Sequence, residues 1–579
     1  MRKAMLWAVT VAGLALLAFS QVAAAGATSR RYVVVFERGA SAHDAAKAIH
    51  AAGGKILKIN HDIGVASVSS SDSRFVAKVG KQKALLGAAQ DRVIGRAPGA
   101  GARKPAWRLV ETESGTTSAQ LAHKDDFPAP VDGDQLSGLQ WDMKMIGATP
   151  AGSYSRQQGS HAVRVGVIDT GVDGTHPDIA PNFDAALSRN FTRDNPVPGI
   201  PDGPCEHPSC VDPPNEDDDG HGTHVAGTIG AALNEIGIAG VAPNVDIVNI
   251  RAGQDSGFFL LGPTLEALTY AADNGVDVVN MSFYIDPWLY NCRANPADTP
   301  EEQEEQRTII AATELAVKYA RSQGVTLVAA LGNESTDLGH PTTDDTSPDF
   351  PPDAAKERTI DNATCFNEPT EAPGVIAVSS VGPINRASSP FPRKAYYSNW
   401  GVEQTDVAAP GGDRREFFGT PEYGAAQTRI LAPYPLNRAQ ACQELRASGE
   451  PSGTTICDPT NPGVVLPRVP QLVRDCAQGV CGLYQWIQGT SMAAPHAVGV
   501  AALIVAEFGR PDRNNGGLTL NPDRVERILK RTATDTPCPP GGVLDYPDLP
   551  AAFTATCEGD AAFNGFYGEG IVNADRAVR

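Results

Sequence analysis

At 579 residues the chain is longer than one compact domain, and 41% hydrophobic with 20% charged residues, 58 Gly and 45 Pro describe a core-forming protein with long loops, not a disordered or fibrous chain. The net charge of −19 is uneven, since residues 1–139 carry 18 Lys and Arg against 11 Asp and Glu while the remainder carries 30 against 56. So long an acidic stretch repels phosphate backbones and anionic headgroups, which excludes nucleic acid and a membrane surface as expected partners.

In chain order, Arg2 and Lys3 precede an apolar run from Ala4 to Phe19 and the small residues Ala23, Ala24 and Ala25. This is the pattern of a signal peptide over 1–25, shorter than the ~20 apolar residues of a membrane span, and it predicts a secreted protein. Residues 26–97 read as a small domain. The spacing predicts strands at 32–36, 55–59, 65–69 and 92–95 and helices at 42–52 and 71–89, the β-α-β-β-α-β order of a ferredoxin-like α+β fold. From 98 to 138 Gly, Pro, Ser and Thr dominate without periodicity, as in an exposed linker open to proteolysis. From 139 to 579, β-branched runs at 163–169, 245–250, 276–281, 325–330 and 375–379 alternate with helical segments. That predicts a doubly wound parallel α/β sheet, interrupted by insertions at 198–218, 284–308, 334–372 and 413–485. The insertions are expected to be disulfide-pinned surface loops. All ten cysteines lie from Cys205 onward, and an even number in an exported chain reads as disulfides, with Cys205–Cys210 and Cys538–Cys557 favoured by proximity.

Three motifs carry candidate chemistry. Val167-Ile168-Asp169-Thr170-Gly171 ends a strand in a carboxylate, where groups face the crevice of an open α/β sheet, although a turn-forming or capping Asp would read the same way. Asp219-Gly220-His221-Gly222-Thr223-His224 puts a histidine between glycines at a helix start. His221 and His224 lack the H-E-x-x-H context of zinc, so His224 reads as a packed structural histidine, and the acidic run 216–219 as a solvated loop. Gly489-Thr490-Ser491-Met492-Ala493 sets a serine at the start of a long apolar helix, where backbone N–H groups favour developing negative charge.

Together Asp169, His221 and Ser491 in these contexts closely resemble the subtilisin family (subtilases), whose chain order is also Asp, His, Ser. The resemblance covers about 139–579, and 31–97 resembles that family's inhibitory propeptide. It implies a serine endopeptidase acting through an acyl-enzyme, with Ser491 as nucleophile, His221 as general base and Asp169 orienting the imidazole. Asn333, ending Val328-Ala329-Ala330-Leu331-Gly332-Asn333, matches the oxyanion-hole asparagine, and Ser282, Phe283, Ala330, Leu331 and Gly332 are the implied substrate-binding positions. Protein or peptide substrates are the expected partners, together with the chain's own propeptide as intramolecular chaperone and inhibitor. No cofactor is required for the chemistry. Asp178 matches a family calcium ligand, but the facing loop 233–238 is one residue shorter than the family pattern, which leaves a structural calcium open. Where many relatives continue Leu-Gly-Gly after the serine, this chain has Phe283-Tyr284-Ile285. Two alternatives stand beside general proteolysis: a catalytically silent subtilase fold that binds peptides, and a protease dedicated to one precursor.

Overall fold

The computed structural model describes residues 29–91, 121, 126–131, 133–194, 202, 205–349, 354–452, 456–458, 461–466 and 471–579. The expected signal peptide, the strand at 92–95 and most of the linker lie outside them.

The N-terminal unit runs β1 (Arg30–Phe36), α1 (Ala42–Ala52), β2 (Lys55–Asn60), β3 (Val65–Ser70), α2 (Phe75–Val79) and β4 (Leu85–Asp91), in sheet order β2-β3-β1-β4 with antiparallel pairing throughout. Local sequence sets the ends of α1. The Ser41 hydroxyl accepts the Asp44 N–H at its start, and Gly53 closes it in the left-handed region. The helix expected over 71–89 is corrected: α2 is only five residues long, and 85–91 form a strand paired with β1. The small residues of Leu85-Leu86-Gly87-Ala88-Ala89 suit either state, and pairing with β1 decides for the strand.

The larger body is built on seven strands. They are β5 (Arg164–Ile168), β6 (Arg189–Asn190), β7 (Asp246–Arg251), β8 (Val278–Met281), β9 (Thr326–Ala330), β10 (Val375–Val381) and β11 (Val407–Pro410), with α3 (His221–Gly230) between β6 and β7, α4 (Leu261–Asp273) between β7 and β8, and α5 (Pro300–Ser322) between β8 and β9. Sheet order is β11-β10-β9-β8-β5-β7-β6, all parallel. The five predicted core strands are present, joined by the edge pairs 189–190 and 407–410. Val165 and Val167 point into one core with Val225 of α3, while Ile168 and Val279 point into the other with Leu265 of α4 and Ile309 of α5. The sheet is therefore covered on both faces, as its β-branched runs require. Because β5 pairs with β7 on one side and β8 on the other, the winding reverses at β5, and a crevice opens at its carboxyl end.

Three expected boundaries change. Residues 133–138 belong to the body and not to a linker, since Ser137 is buried and its N–H reaches Gly237 O at 3.1 Å. The insertion 284–308 overlaps α5, which Thr299 and Glu302 start with a reciprocal capping box. The insertion 413–485 is more than a surface loop. Its β12 (Ile430–Pro433), β13 (Leu472–Ala477) and β14 (Val480–Ile487) form an antiparallel sheet whose Leu431, Tyr484 and Trp486 are buried. Disulfides link Cys205–Cys210, Cys292–Cys365, Cys476–Cys481 and Cys538–Cys557, and Cys442 is also disulfide-bonded.

The small sheet docks on the body. Val33, Val35, Val65 and Ala89 on its open face share a core with Leu265 and Leu268 of α4 and Ile309 and Ala312 of α5, Lys58 pairs with Glu266 at 3.0 Å, and Asp91 Oδ1 accepts the Gly262 N–H at 3.0 Å. Gly87 allows the close approach, since a Cβ there would lie 2.3 Å from Thr308 Oγ1. Gly87→Leu is expected to push β4 off α5, at about the 1–3 kcal/mol of an overpacked contact. Amide exchange along β4 and α5 of the full chain should speed up, and protection equal to wild type would mean that β4 does not rest on α5.

Candidate active site

Four segments converge at the carboxyl end of β5. Asp169 follows β5 directly, His221 opens α3, Asn333 lies three residues beyond β9, and Ser491 is the second residue of α6 (Thr490–Phe508). The α6 helix is apolar over most of its surface and runs buried through the core; in its first turn the Met492 N–H bonds Gly489 O at 3.0 Å and the Thr490 N–H leaves the helix for Asn333 Oδ1.

The Asp169–His221 contact is short and dry: Oδ1 lies 2.7 Å from Nδ1 and neither side chain is exposed. The Thr170 N–H donates to the same oxygen at 2.7 Å. A carboxylate there fixes the imidazole with Nδ1 protonated, so Nε2 is the basic nitrogen. Gly222 makes the approach possible, since a Cβ at that position would lie 2.1 Å from Gly171 O and 2.9 Å from Asp169 Cβ.

Asp217 completes the turn, and it corrects the expectation of a solvated acidic loop. It is buried; Oδ1 accepts Gly220 N–H at 2.9 Å, Asp219 N–H at 3.2 Å and the Thr170 hydroxyl at 3.2 Å, while Oδ2 accepts Thr223 N–H at 2.9 Å and its hydroxyl at 2.6 Å. Burial first, and the Asp219 charge second, lift its pKa to about 6 against the pull of these donors, so it is ionised at neutral pH. Asp217 thereby caps α3 and ties the His221 turn to the Asp169 turn. The signal present in the sequence is an Asp six residues before a first-turn Thr. His224 is the packed histidine expected: burial lowers its pKa to about 3, and neutral Nε2–H faces Ile430 O at 3.2 Å and Gln485 O at 3.1 Å, joining α3 to the insertion sheet.

On the other side, Asn333 Oδ1 accepts the Thr490 N–H at 2.8 Å and its hydroxyl at 2.9 Å, while that hydroxyl oxygen accepts the Gly332 N–H at 3.1 Å. Two donors on Oδ1 fix which way the amide faces. Its Nδ2 is left buried with no hydrogen-bond partner, next to the start of the serine helix. Ser491 Oγ lies 3.5 Å from Ser282 O, the Ser282 hydroxyl donates to Ser491 O at 3.1 Å, and Asn280 Nδ2 donates to that hydroxyl at 2.9 Å. Ser282 is thus a spacer between β8 and the helix that carries Ser491. Phe283 is buried and stacks on Phe259 with ring centroids 4.0 Å apart. The Leu331 N–H is used by Val378 O at 3.1 Å and Ala330 O by the Thr370 hydroxyl at 2.9 Å, which hold this segment against its neighbours.

At the position expected for calcium, one oxygen each of Asp134 and Asp178 accepts backbone N–H groups, and the other is buried without a hydrogen-bond partner. Asp178 is buried, with its carboxyl well above the usual range through desolvation, and Oδ2 accepts the Ile238 N–H at 3.1 Å. Asp134, raised to about 6 by burial, is held by the amides of Asn234, Glu235 and Ile236, and the Gly237 N–H goes to Asp475 Oδ2 at 2.8 Å. Calcium takes carboxylate and carbonyl oxygens, so Asp134 Oδ2 and Asp178 Oδ1 are the atoms here that could hold it, while the amides of the loop occupy the other two carboxylate oxygens.

A family model described as the subtilase family matches residues 160–570. Among curated proteins, the chain is 30% identical over 285 residues to an intracellular serine protease of Paenibacillus polymyxa, covering 48% of this chain and 64% of that one. It is 25% identical over 418 residues to subtilisin DY of Bacillus licheniformis, covering 72% and 91%. The chain thus spans a little under two thirds of the Paenibacillus relative's length. The fold is similar to the epidermin leader peptide processing serine protease of Staphylococcus aureus, with TM-score 0.59, 19% identity, and 95% and 98% of the two chains covered. It is similar as well to fervidolysin of Fervidobacterium pennivorans, with TM-score 0.53, 20% identity, and 95% and 61% covered.

Asp217→Asn replaces an acceptor with a donor among five donors, and a buried mismatch of that kind costs about 1–3 kcal/mol. Unfolding in denaturant should show that loss, together with reduced hydrolysis; unchanged stability would remove Asp217 from this turn.

Proposed function

The chain belongs to the subtilase family, and we propose that it is an exported serine endopeptidase made as a precursor that processes itself. Ser491 attacks the scissile carbonyl, His221 takes its proton and returns it to the leaving amine, and Asp169 stabilises the imidazolium. Asn333 Nδ2 and the Ser491 N–H donate to the tetrahedral oxyanion. The observation that carries this reading is the Asn333 amide, pinned through Oδ1 by Thr490 while its buried Nδ2 has no acceptor. A buried donor without a partner is costly unless an acceptor arrives, and a developing oxyanion is such an acceptor. Intact donor, base and nucleophile weigh against a silent peptide-binding fold. An extended peptide would run beside Ser282 and Phe283, with 330–332 as the opposite wall.

Residues 26–97 would act as propeptide. Supporting this are the docked sheet, the Asp91 carboxylate at the first turn of α4, and the excess of basic residues in 1–139 against the acidic remainder. Opposite net charge speeds encounter of the two pieces, and a large parallel sheet folds slowly enough to gain from a preformed partner.

Asn333→Ala should keep the fold and substrate binding yet lose about 10²–10³ in turnover, the loss seen when subtilisin's own oxyanion asparagine is removed. Ser491→Ala should abolish both hydrolysis and release of the N-terminal unit. Near wild-type turnover of Asn333→Ala, or processing of Ser491→Ala, would overturn these roles. Hydrolysis of a panel of unrelated unfolded proteins separates general proteolysis from a dedicated precursor. Residues 126–579 refolded alone are expected to recover little activity, and separately made 26–125 should restore folding and then inhibit. Efficient unaided folding would reject the chaperone role, and full activity at saturating propeptide the inhibitory one.

A further inference from the structure

Asn399 is fully buried and has no part in the proposed chemistry, yet its hydrogen bonds bracket Asn333. Its Oδ1 accepts the Glu334 N–H at 3.1 Å and the Thr336 N–H at 2.9 Å, and its Nδ2 donates to Leu331 O at 3.1 Å and to Glu334 Oε2 at 2.6 Å. Its backbone N–H donates to Gly332 O at 3.0 Å. One residue thus holds 331, 332, 334 and 336, while none of these bonds goes to Asn333 itself. The approach is close: Gly332 has a φ of +107°, and a Cβ there would lie 2.4 Å from Asn399 Nδ2.

Asn399 is fixed in turn from the sheet. The Ser398 hydroxyl donates to Asn399 O at 2.9 Å and its oxygen accepts the Ser380 N–H of β10 at 3.0 Å, while Lys394 Nζ donates to Ser398 O at 2.7 Å. The residues on either side extend the grip, with the Ser335 N–H on Tyr397 O at 2.7 Å and the Trp400 N–H on Thr336 O at 3.0 Å. Thr490 holds only the Oδ1 end of the Asn333 amide. An amide held at one end can pivot about it, so the direction of Nδ2 depends on the Asn333 backbone, and that backbone is set by the turn wrapped around Asn399. Donors to an oxyanion act at about 2.7–3.1 Å, so a small displacement of Nδ2 is felt in turnover.

We propose that Asn399 is a positioning residue for peptide hydrolysis: by fixing the turn 331–336 it aims Asn333 Nδ2 at the place where the oxyanion forms. The inference rests on the reading of Asn333 as an oxyanion donor and extends it to the residue that supports that donor. A donor already in place costs no reorganisation as charge develops, whereas a loosened turn has to be ordered in the transition state. The loss on removing Asn399 therefore falls mainly on kcat, and it passes through Asn333.

The test uses the full chain, with kcat and KM measured on a peptide amide and normalised to the Ser491 titrated by a phosphonylating reagent, so that unfolded protein is not counted. Asn399→Ala is expected to lower kcat by about tenfold to a hundredfold, less than Asn333→Ala does, with KM within about threefold of wild type. In an Asn333→Ala background the same substitution should change kcat by less than about twofold, since a support has no effect once its donor is gone. Asn399→Asp, which keeps both N–H acceptors and loses both donors, should fall between wild type and Asn399→Ala, and it takes the place of the alanine variant in this cycle if that variant does not fold. A packing role alone would lower Tm and leave kcat per titrated serine unchanged, or lower kcat by the same factor in both backgrounds; either result overturns the proposal. Near wild-type turnover of Asn333→Ala beside a persistent loss in Asn399→Ala would overturn the reading of Asn333 itself, and the proposal with it.

Discussion

The buried contact between Asp169 and His221 sets the terms for the rest of the molecule. Removing a carboxylate and an imidazole from water is costly, and their mutual hydrogen bond, with the Thr170 N–H on the same Asp169 oxygen, offsets that cost. Their 2.7 Å contact requires the first turn of α3 to come against the end of β5 closely enough to exclude a side chain at Gly222. The same closeness demands that the turn be held from outside, which Asp217 does with acceptors for Thr170, Gly220 and Thr223. A helix of small residues over a parallel sheet thus follows from one polar pair.

The second half of the site obeys the same rule with neutral groups. Thr490 serves at once as acceptor for Gly332 and donor to Asn333, so one side chain locks the loop after β9 to the start of α6. The amide that results has its carbonyl end satisfied and its NH₂ end waiting. Preorganisation of this kind costs stability in the resting protein and is recovered when charge develops nearby.

The acidic character of residues 140–579 has a structural side. Many carboxylates sit inside insertions and are pushed upward in pKa by burial, among them Asp194, Glu334 and Glu371, each to about 7. Some are met by amides, as Glu371 is by the Asn367 N–H at 2.6 Å, and some by Arg251 or Arg358. The disulfide at 205–210 closes a short loop in one such segment, while that at 292–365 lies within the apolar core.

The sequence alone determined the family and the parallel sheet and singled out Asp169, His221 and Ser491 as candidates, because short motifs and β-branched runs are local patterns that survive any arrangement of loops. It also identified two of the disulfides, Cys205–Cys210 and Cys538–Cys557, but not Cys476–Cys481, whose separation is as short as the first. What the tertiary structure decided was everything that depends on a distant partner. Residues 85–91 are a strand because β1 lies beside them, and 133–138 belong to the body because Gly237 accepts their Ser137 N–H. Asp217 is a buried cap because Thr170, far away in sequence, shares it. The loop at 233–238 faces carboxylates with amides, which no residue count reveals. Composition and periodicity report what one segment prefers by itself; burial, register and the direction of an N–H are set by what folds against it.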